Sequence, residues 1–450
     1  MMNRNQQAAY RTFCDDLIDY ALGKGCAQVR AELNHIEHFS IETHNHVVDT
    51  LQQSTGVGLT LRLFVDGRYG TYSTNRLDRL EVERLIERGI EATRHLGVDE
   101  CRTLPDPSRY YHPAPEGEAD LGGYAPDIVE TPLEAKKQLV LATARCTGAE
   151  DTRIISLDSS LQDRLGWQYL TDSQGFRGES RAGICSLVAS INMQGEGDSR
   201  PSDYEHVTAV SYADLMRQLQ ARNEPLADSA HRRAYCKIGA RSVAAGTYTI
   251  IVEARVVGKL LDPLLDVLFG ANLYQQRSFL GDKLNQVVAS PLLTLRDEPH
   301  RYGAAGSCYF DFEGVATAPC DIFRDGRLCT FFIDTYYGHK LHRAPTNSGP
   351  SVLYMEPGER SLSQIISHSD QAIYISGFNG GNYNEVTGDF SFGIEGLLVE
   401  HGELTTPVAE MNLTGNLLEL WQHLVEVGNE TEQTATGFVP TLVFEGCRIG

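Results

Sequence analysis

The stretch Gly388-Asp389-Phe390-Ser391-Phe392-Gly393-Ile394-Glu395-Gly396 runs on through Val399-Glu400-His401-Gly402-Glu403-Leu404 and Pro407-Val408 to Gly415-Asn416-Leu417 and Trp421. It reads as strand, turn, strand and capped helix. Phe390, Phe392 and Ile394 alternate with Ser391, Gly393 and Glu395, the period of a half-buried strand. His401-Gly402 separates two such runs, and glycine supplies the positive φ of a tight hairpin. Pro407 has no N–H for a ladder and fits a strand end or edge. Asn416 reads as an N-cap with Glu419 at the capping-box position. Leu417, Leu420, Trp421, Leu424 and Val425 share one helical face, and Gly428 reads as its stop.

The same signals recur outward from this block. Phe13, Leu17, Ala21 and Leu22 predict a helix that stops at Gly23. Val57, Leu59, Leu61, Leu63 and Val65 alternate strictly, and Asp66-Gly67 follows as a two-residue hairpin signal. Asp78 reads as the cap of a helix that buries Leu85, Ile86 and Ile90, with Glu81 as the capping acid. Pro105, Pro107, Pro113, Pro115, Pro126 and Pro132 predict an extended connector, closed by a helix start at Thr131-Pro132-Leu133-Glu134 and a helix reaching Gly148. Strands are predicted at 153–161, 166–171 and 183–193, then a Gly/Ser/Asp/Pro-rich loop (194–203) and a helix capped by Ser211. Further strands are predicted at 247–252 and 372–376, with a hairpin at Asp325-Gly326. Helices and strands mix without β-α-β alternation, which predicts an α+β fold. An N-terminal α/β-sandwich-like region of hairpins and helices should precede a strand-rich C-terminal domain with few helices. The expected divisions are an N-terminal α+β domain (1–104), a Pro-rich connector (105–130), a central α+β domain (131–225) and a C-terminal β-rich domain (226–450).

The 450 residues exceed one ordinary core, and 41% hydrophobic with 22% charged content is that of a globular chain. No run has the apolar length to span a bilayer, and no secretory signal is visible. The formal charge of −21 repels phosphate backbones, so direct nucleic-acid binding is disfavoured. The 10 Cys include no C-x-x-C pair and read as reduced thiols of a cytoplasmic protein.

The C-terminal block resembles the signature of the PmbA/TldD family, the "modulator of DNA gyrase" proteins linked to intracellular peptide cleavage. Gly56–Leu59 with Asp66–Thr74, Ser278-Phe279-Leu280, Leu295-Arg296-Asp297-Glu298-Pro299, Phe310–Val315 and Asp325–Leu328 resemble its other blocks in order. The resemblance implies two branches that assemble together. One carries a helical His-Glu-x-x-x-His motif and binds zinc; the other lacks it. No His-Glu pair occurs in this chain. The motif's segment corresponds to Val256–Leu268. There Asp262 and Val267 stand at the histidine positions and Pro263 at the glutamate. Valine cannot ligate a metal and proline cannot act as a base. His231 and His300 are the nearest histidines on either side. The chain therefore resembles the metal-free, PmbA/TldE-type subunit. It departs from that branch at Phe392, where relatives often carry a basic residue.

Rival sites have plainer readings. His44-x-His46 with His35-x-x-His38, and His339-x-x-His342, read as polar strand or helix-end residues. Cys185 and Cys308 read as structural thiols. Gly377-Phe378-Asn379-Gly380-Gly381-Asn382 reads as a loop, since no Lys-Ser/Thr follows it. The functional expectation is a non-catalytic subunit of a cytoplasmic zinc peptidase complex that helps bind unfolded or extended peptides. Zinc is expected in a motif-bearing TldD-type partner and no cofactor in this chain. The assembly is expected to be a homo- or hetero-oligomer without membrane contact. Gly388, Asp389, Phe390, Ser391, Phe392, Gly393 and Ile394 are the peptide-binding candidates, as an edge that adds a strand. The alternatives are a self-sufficient hydrolase with an unrecognised site and a regulator of DNA gyrase.

Overall fold

The computed structural model describes residues 2–114, 119–433 and 437–450; Pro115 of the connector lies outside the described residues. Helix α1 (Arg4–Gly23) is capped by the Asn3 side chain, which accepts from the Gln6 N–H. Strands β1 (Gln28–His44), β2 (Val47–Val65) and β3 (Arg68–Thr74) follow, and then helix α2 (Arg79–Arg94), capped by Asp78 as its sequence predicts. Helices α3 (Asp127–Glu130) and α4 (Leu133–Thr143) precede β4 (Ile154–Asp172), β5 (Arg177–Met193) and β6 (Ser202–Ala209). Helices α5 (Tyr212–Ala221) and α6 (Leu226–Tyr235) close this half.

The expected separate domains 1–104 and 131–225 share one sheet of order β3-β2-β1-β4-β5-β6. β1 and β4 pair antiparallel from Arg30↔Asp172 to His44↔Asp158, so the connector crosses within one unit rather than dividing two. The odd-numbered residues of the long strands carry the apolar face. α1 and α2 cover one end of it with Leu17, Ile18 and Ile86 against Leu33, Leu61 and Trp167. The helices after the connector cover the other end, with Val140, Leu215 and Ala230 against Ile41, Leu161 and Leu187. The strands predicted at 153–161 and 166–171 are one strand, β4. Its alternation was hidden because Asp163 occupies a buried position between Leu161 and Leu165. α4 ends at Thr143, short of Gly148, and its N-cap is Pro132, which gives it no side-chain cap.

The C-terminal half begins with β7 (Gly246–Val252), followed by helices α7 (Gly258–Asp266) and α8 (Gly270–Tyr274). Then come β8 (Leu295–Asp297), β9 (Cys320–Arg324), β10 (Arg327–Leu328), α9 (Thr335–Leu341), β11 (Leu353–Met355) and α10 (Leu362–Ser367). The chain finishes with β12 (Gln371–Phe378), β13 (Asn382–Tyr383), β14 (Asp389–Glu400), β15 (Glu403–Asn416), α11 (Leu417–Gln422), β16 (Leu424–Gln433) and β17 (Gly437–Ile449). β17 pairs with both β15 and β7, so β7-β12-β14-β15-β17 closes on itself. Closure removes edges that would otherwise lie open. Ile250, Ile375, Phe392, Ile394, Leu413 and Phe444 form one core with Leu260, Leu261 and Leu264 of α7. The opposite face packs Ile251, Tyr374, Val399 and Val443 on Ile365 of α10.

The three X-Gly hairpin signals hold. Asp66-Gly67, Asp325-Gly326 and His401-Gly402 all have positive φ at both turn residues, as a type I′ turn requires. The helix from Asn416 is shorter than predicted. It ends at Gln422, and Leu424 and Val425 belong to strand β16, Leu424 buried and Val425 exposed. An apolar residue three or four positions on serves a helix face and a following buried strand equally well.

Candidate functional site

The strand–turn–helix from β7 into α7 holds the segment singled out in the sequence. Glu253 follows the strand and is ion-paired with Arg233 of α6. α7 then buries Leu260, Leu261, Pro263, Leu264 and Leu265. Pro263 sits inside this helix, where it supplies no N–H to the backbone ladder. Val267 is wholly buried. Asp262 faces outward, and Asp266 lies one turn further on the same side.

These two carboxylates edge a cleft of about 380 Å³ lined by Leu265, Phe269, Pro350, Leu353 and Tyr383. The Tyr383 hydroxyl donates to Asp266 Oδ2 at 2.9 Å. Partial desolvation raises the Asp262 carboxyl above its ordinary value, opposed by the Lys259 charge. Lys259 Nζ lies 4.8 Å from the centroid of Phe392, a contact of helix with closed ring. Pro350 is held over the cleft by a buried acid. Asp297 is 0% exposed and accepts from the backbone N–H of Ser351 at 2.8 Å and of Val352 at 2.9 Å. Burial pushes its carboxyl up, and the two N–H donors pull against that. Asp311 steadies the same loop by accepting from Ser348 Oγ at 2.6 Å.

Asp262, Pro263 and Val267 therefore do not fit a zinc ion. One outward carboxylate remains where three functional side chains would be needed, and Val267 points into the core. Among the described residues, no group of three or more His, Cys, Asp and Glu is arranged to hold a metal. What the arrangement offers is a mostly apolar cleft edged by two acids and a phenol.

The predicted peptide edge is corrected. β14 is flanked by β13 and β12 on one side and by β15 on the other. Its backbone is committed, so no strand can add along Gly388–Ile394. The alternation marks one buried face, on which Phe390, Phe392 and Ile394 are core residues at 7%, 1% and 0% exposure. Gly388 lies in the turn before β14, and Asp389 opens the strand, where its carboxylate accepts from Asn416 Nδ2 and Thr387 Oγ1. Ser391 lies opposite Asn382 and Thr414, and Gly393 opposite Asn412.

The histidine pairs do not converge. His44 ends β1 and its Nδ1 bonds Asp158 at 2.9 Å, while His46 lies in the next turn with positive φ. His339 bonds the Cys101 carbonyl, and His342 is the left-handed C-cap of α9. Burial pushes the Cys185 thiol up to about 12, and the Cys308 thiol is also raised by burial. In the loop at 377–382, an added Cβ on Gly381 would collide with the Ser391 carbonyl, so close backbone approach accounts for that glycine.

Sequence reasoning missed Asp266, Tyr383 and Pro350. Asp266 had a signal, since it stands four residues after Asp262. The other two reach the cleft only through tertiary contacts. It also missed a polar cleft of about 620 Å³ between β6 and the closed ring. There Lys237 pairs with Asp203 at 3.2 Å and with Glu395 at 2.7 Å, and Arg255 pairs with Asp203 at 2.9 Å.

The fold and this strand–helix site define a two-sheet α+β protein of the metallopeptidase-like class described by two family models. PmbA/TldA metallopeptidase domain 1 matches residues 30–93, and the PmbA/TldA metallopeptidase C-terminal domain matches residues 245–450. A crystal structure of a candidate modulator of DNA gyrase from Bacteroides thetaiotaomicron is 42% identical, covers 100% of both chains and superposes with a TM-score of 0.94. TldE from Thermococcus kodakarensis shares the fold at 20% identity and a TM-score of 0.82, over 97% of this chain and 100% of its own. Metalloprotease PmbA of Escherichia coli O157:H7 is 25% identical over 87% of this chain and 85% of its own length. The chain belongs to the PmbA/TldD family.

Proposed function

We propose that this chain is the metal-free subunit of a TldD/PmbA-type zinc peptidase assembly, in which it holds an unfolded or extended peptide while a motif-bearing partner supplies the zinc. The observation that carries this reading is the face of α7. At the register of the family's metal motif, α7 and its C-cap carry an outward Asp262, a buried Pro263 and a wholly buried Val267. The adjoining cleft supports a holding role, because Leu265, Phe269, Pro350 and Leu353 offer apolar contact and Asp262 and Asp266 offer acceptors. The peptide is held by this cleft rather than by strand addition at β14. A cytoplasmic setting is part of the proposal. The free state of all ten cysteines supports a reducing compartment. Among the described residues, no helix is long and apolar enough to cross a membrane.

The test is a pull-down of the tagged full chain from native lysate. A homologue bearing His-Glu-x-x-x-His should come with it in a fixed ratio. Recovery of the chain free of any such homologue, at native expression and low salt, counts against the reading.

A further inference from the structure

On the helix-bearing face of the N-terminal sheet, a cavity of about 250 Å³ opens beside β1 and β2 under the α3–α4 turn. Asp163 of β4 lines it and is 3% exposed. Its carboxylate is ion-paired with Lys136 of α4. Lys136 Nζ also donates to the Ile128 carbonyl at 2.6 Å and stands 4.5 Å from the centroid of Phe39. These three contacts use up an ammonium group, which has three N–H donors. Asp163 Oδ1 is left buried with no hydrogen-bond partner among the described residues. A buried acceptor without a donor carries a desolvation cost that a donor entering through the cavity would remove.

The lining indicates what kind of donor. Glu37 and Glu130 add carboxylates to the wall, Phe39 adds a π-face and His38 an imidazole, and the one lysine is already engaged. The chain's net charge of −21 also draws cations toward it. At about 30 Å³ per water, the space matches a handful of waters or one small head group, not a folded partner.

We infer that this cavity binds a small organic cation, an ammonium or guanidinium head group carried either by a free amine or by a basic side chain of a peptide. Its N–H groups meet Asp163 Oδ1 at the floor, and Glu130 complements the charge at the rim. The site is separate from the α7 cleft and does not rest on the peptidase reading.

Calorimetric titration of the full chain tests this with three probes: agmatine, N-acetyl-arginine amide and the neutral N-acetyl-citrulline amide. Saturable binding of a guanidinium probe, with none of the citrulline compound, is expected. Binding of agmatine alone identifies a free amine as the source; binding of the arginine amide identifies a side chain. Asp163→Asn strands Lys136 in the interior and endangers folding, so two exposed rim positions carry the test. Ser54→Trp should fill the cavity and abolish binding. Glu130→Gln should weaken it about threefold to fivefold, the scale of one exposed charge pair. Equal binding of the citrulline compound, no saturable binding of either guanidinium probe, or unchanged binding in Ser54→Trp would overturn the inference.

Discussion

The two sheets of this protein solve the same packing problem in different ways. The N-terminal sheet is an open antiparallel array whose ladders run long and almost unbroken; β1 and β4 pair continuously over their shared length. Helices cover one of its faces, and its other face carries polar side chains such as Glu32, Arg62 and Gln168 in mutual hydrogen bonds. The C-terminal strands instead curl into a closed ring, with register shifts in β12, β14 and β17. Bulges of this kind bend strands and allow closure. The open sheet tolerates irregular cover and leaves a cavity at Asp163. The ring leaves little room, and the α7 cleft lies outside it, edged by a loop that Asp297 pins.

The joint between the two regions should give the largest effect. Arg30 is 4% exposed; it donates to Asp172 Oδ2 at 3.0 Å and to the Glu313 carbonyl at 2.7 Å. Tyr110 donates to the same Asp172 oxygen at 2.7 Å. Arg30→Ala leaves a buried carboxylate without its cation and should cost about 3–5 kcal/mol. Denaturation followed by probes in each half should then resolve two transitions in place of one. Coincident transitions would mean that the two regions are coupled by other contacts.

Glycine substitutions sharpen the contrast at intermediate size. A Cβ on Gly396 of β14 would collide with the Tyr374 carbonyl of the neighbouring strand, while one on Gly166 of β4 meets only the Ala182 carbonyl at 3.8 Å. Gly396→Ala should destabilise by about 1–3 kcal/mol, the usual range for overpacking. Gly166→Ala should stabilise by about 0.5 kcal/mol, because a strand glycine is replaced without strain. Urea midpoints of the two variants measure the difference. Equal shifts would show that the ring is not the tighter structure.

The smallest expected effect is in pH dependence, and its sign differs between the regions. Burial alone would raise Glu32 of the open sheet, but hydrogen bonds from Asn34 and Arg62 and the Arg62 charge hold it below its ordinary value. Its contribution is present above the unfolded pKa of about 4.3 and is lost as pH falls through the folded one. Asp297 is shifted the other way by burial. The folded state then holds its proton longer, so its contribution is full below about 3.9 and is lost as pH rises through the raised value. Glu32→Gln should flatten the stability profile on the acid side, and Asp297→Asn should flatten it above about 3.9. Urea midpoints across the pH range read both slopes, and slopes of the same sign would contradict the assignment.

The contrast also explains what could be read from the sequence. Hairpins set by local chemistry were legible, since Asp66-Gly67, Asp325-Gly326 and His401-Gly402 need nothing beyond their own backbone. Caps at Asp78, Ser211 and Asn416 were legible for the same reason. Long-range pairing was not. Nothing local says that β1 joins β4 across the connector, or that β17 meets β7 to close the ring. Asp163 broke the alternation of β4 because its partner, Lys136, lies on another element. At α7, that Pro263 and Val267 offer no metal ligand was legible from residue type alone. The fate of Gly388–Ile394 was not, because an alternating strand looks the same at an edge and in the middle of a sheet.

We propose that this chain contributes grip and not metal chemistry. The most direct test is zinc content and cleavage of an unfolded peptide, measured side by side on the isolated chain and on its co-purified assembly. Chelator-sensitive cleavage and zinc are expected in the assembly, and neither in the isolated chain. One zinc per isolated chain with chelator-sensitive turnover would contradict the proposal.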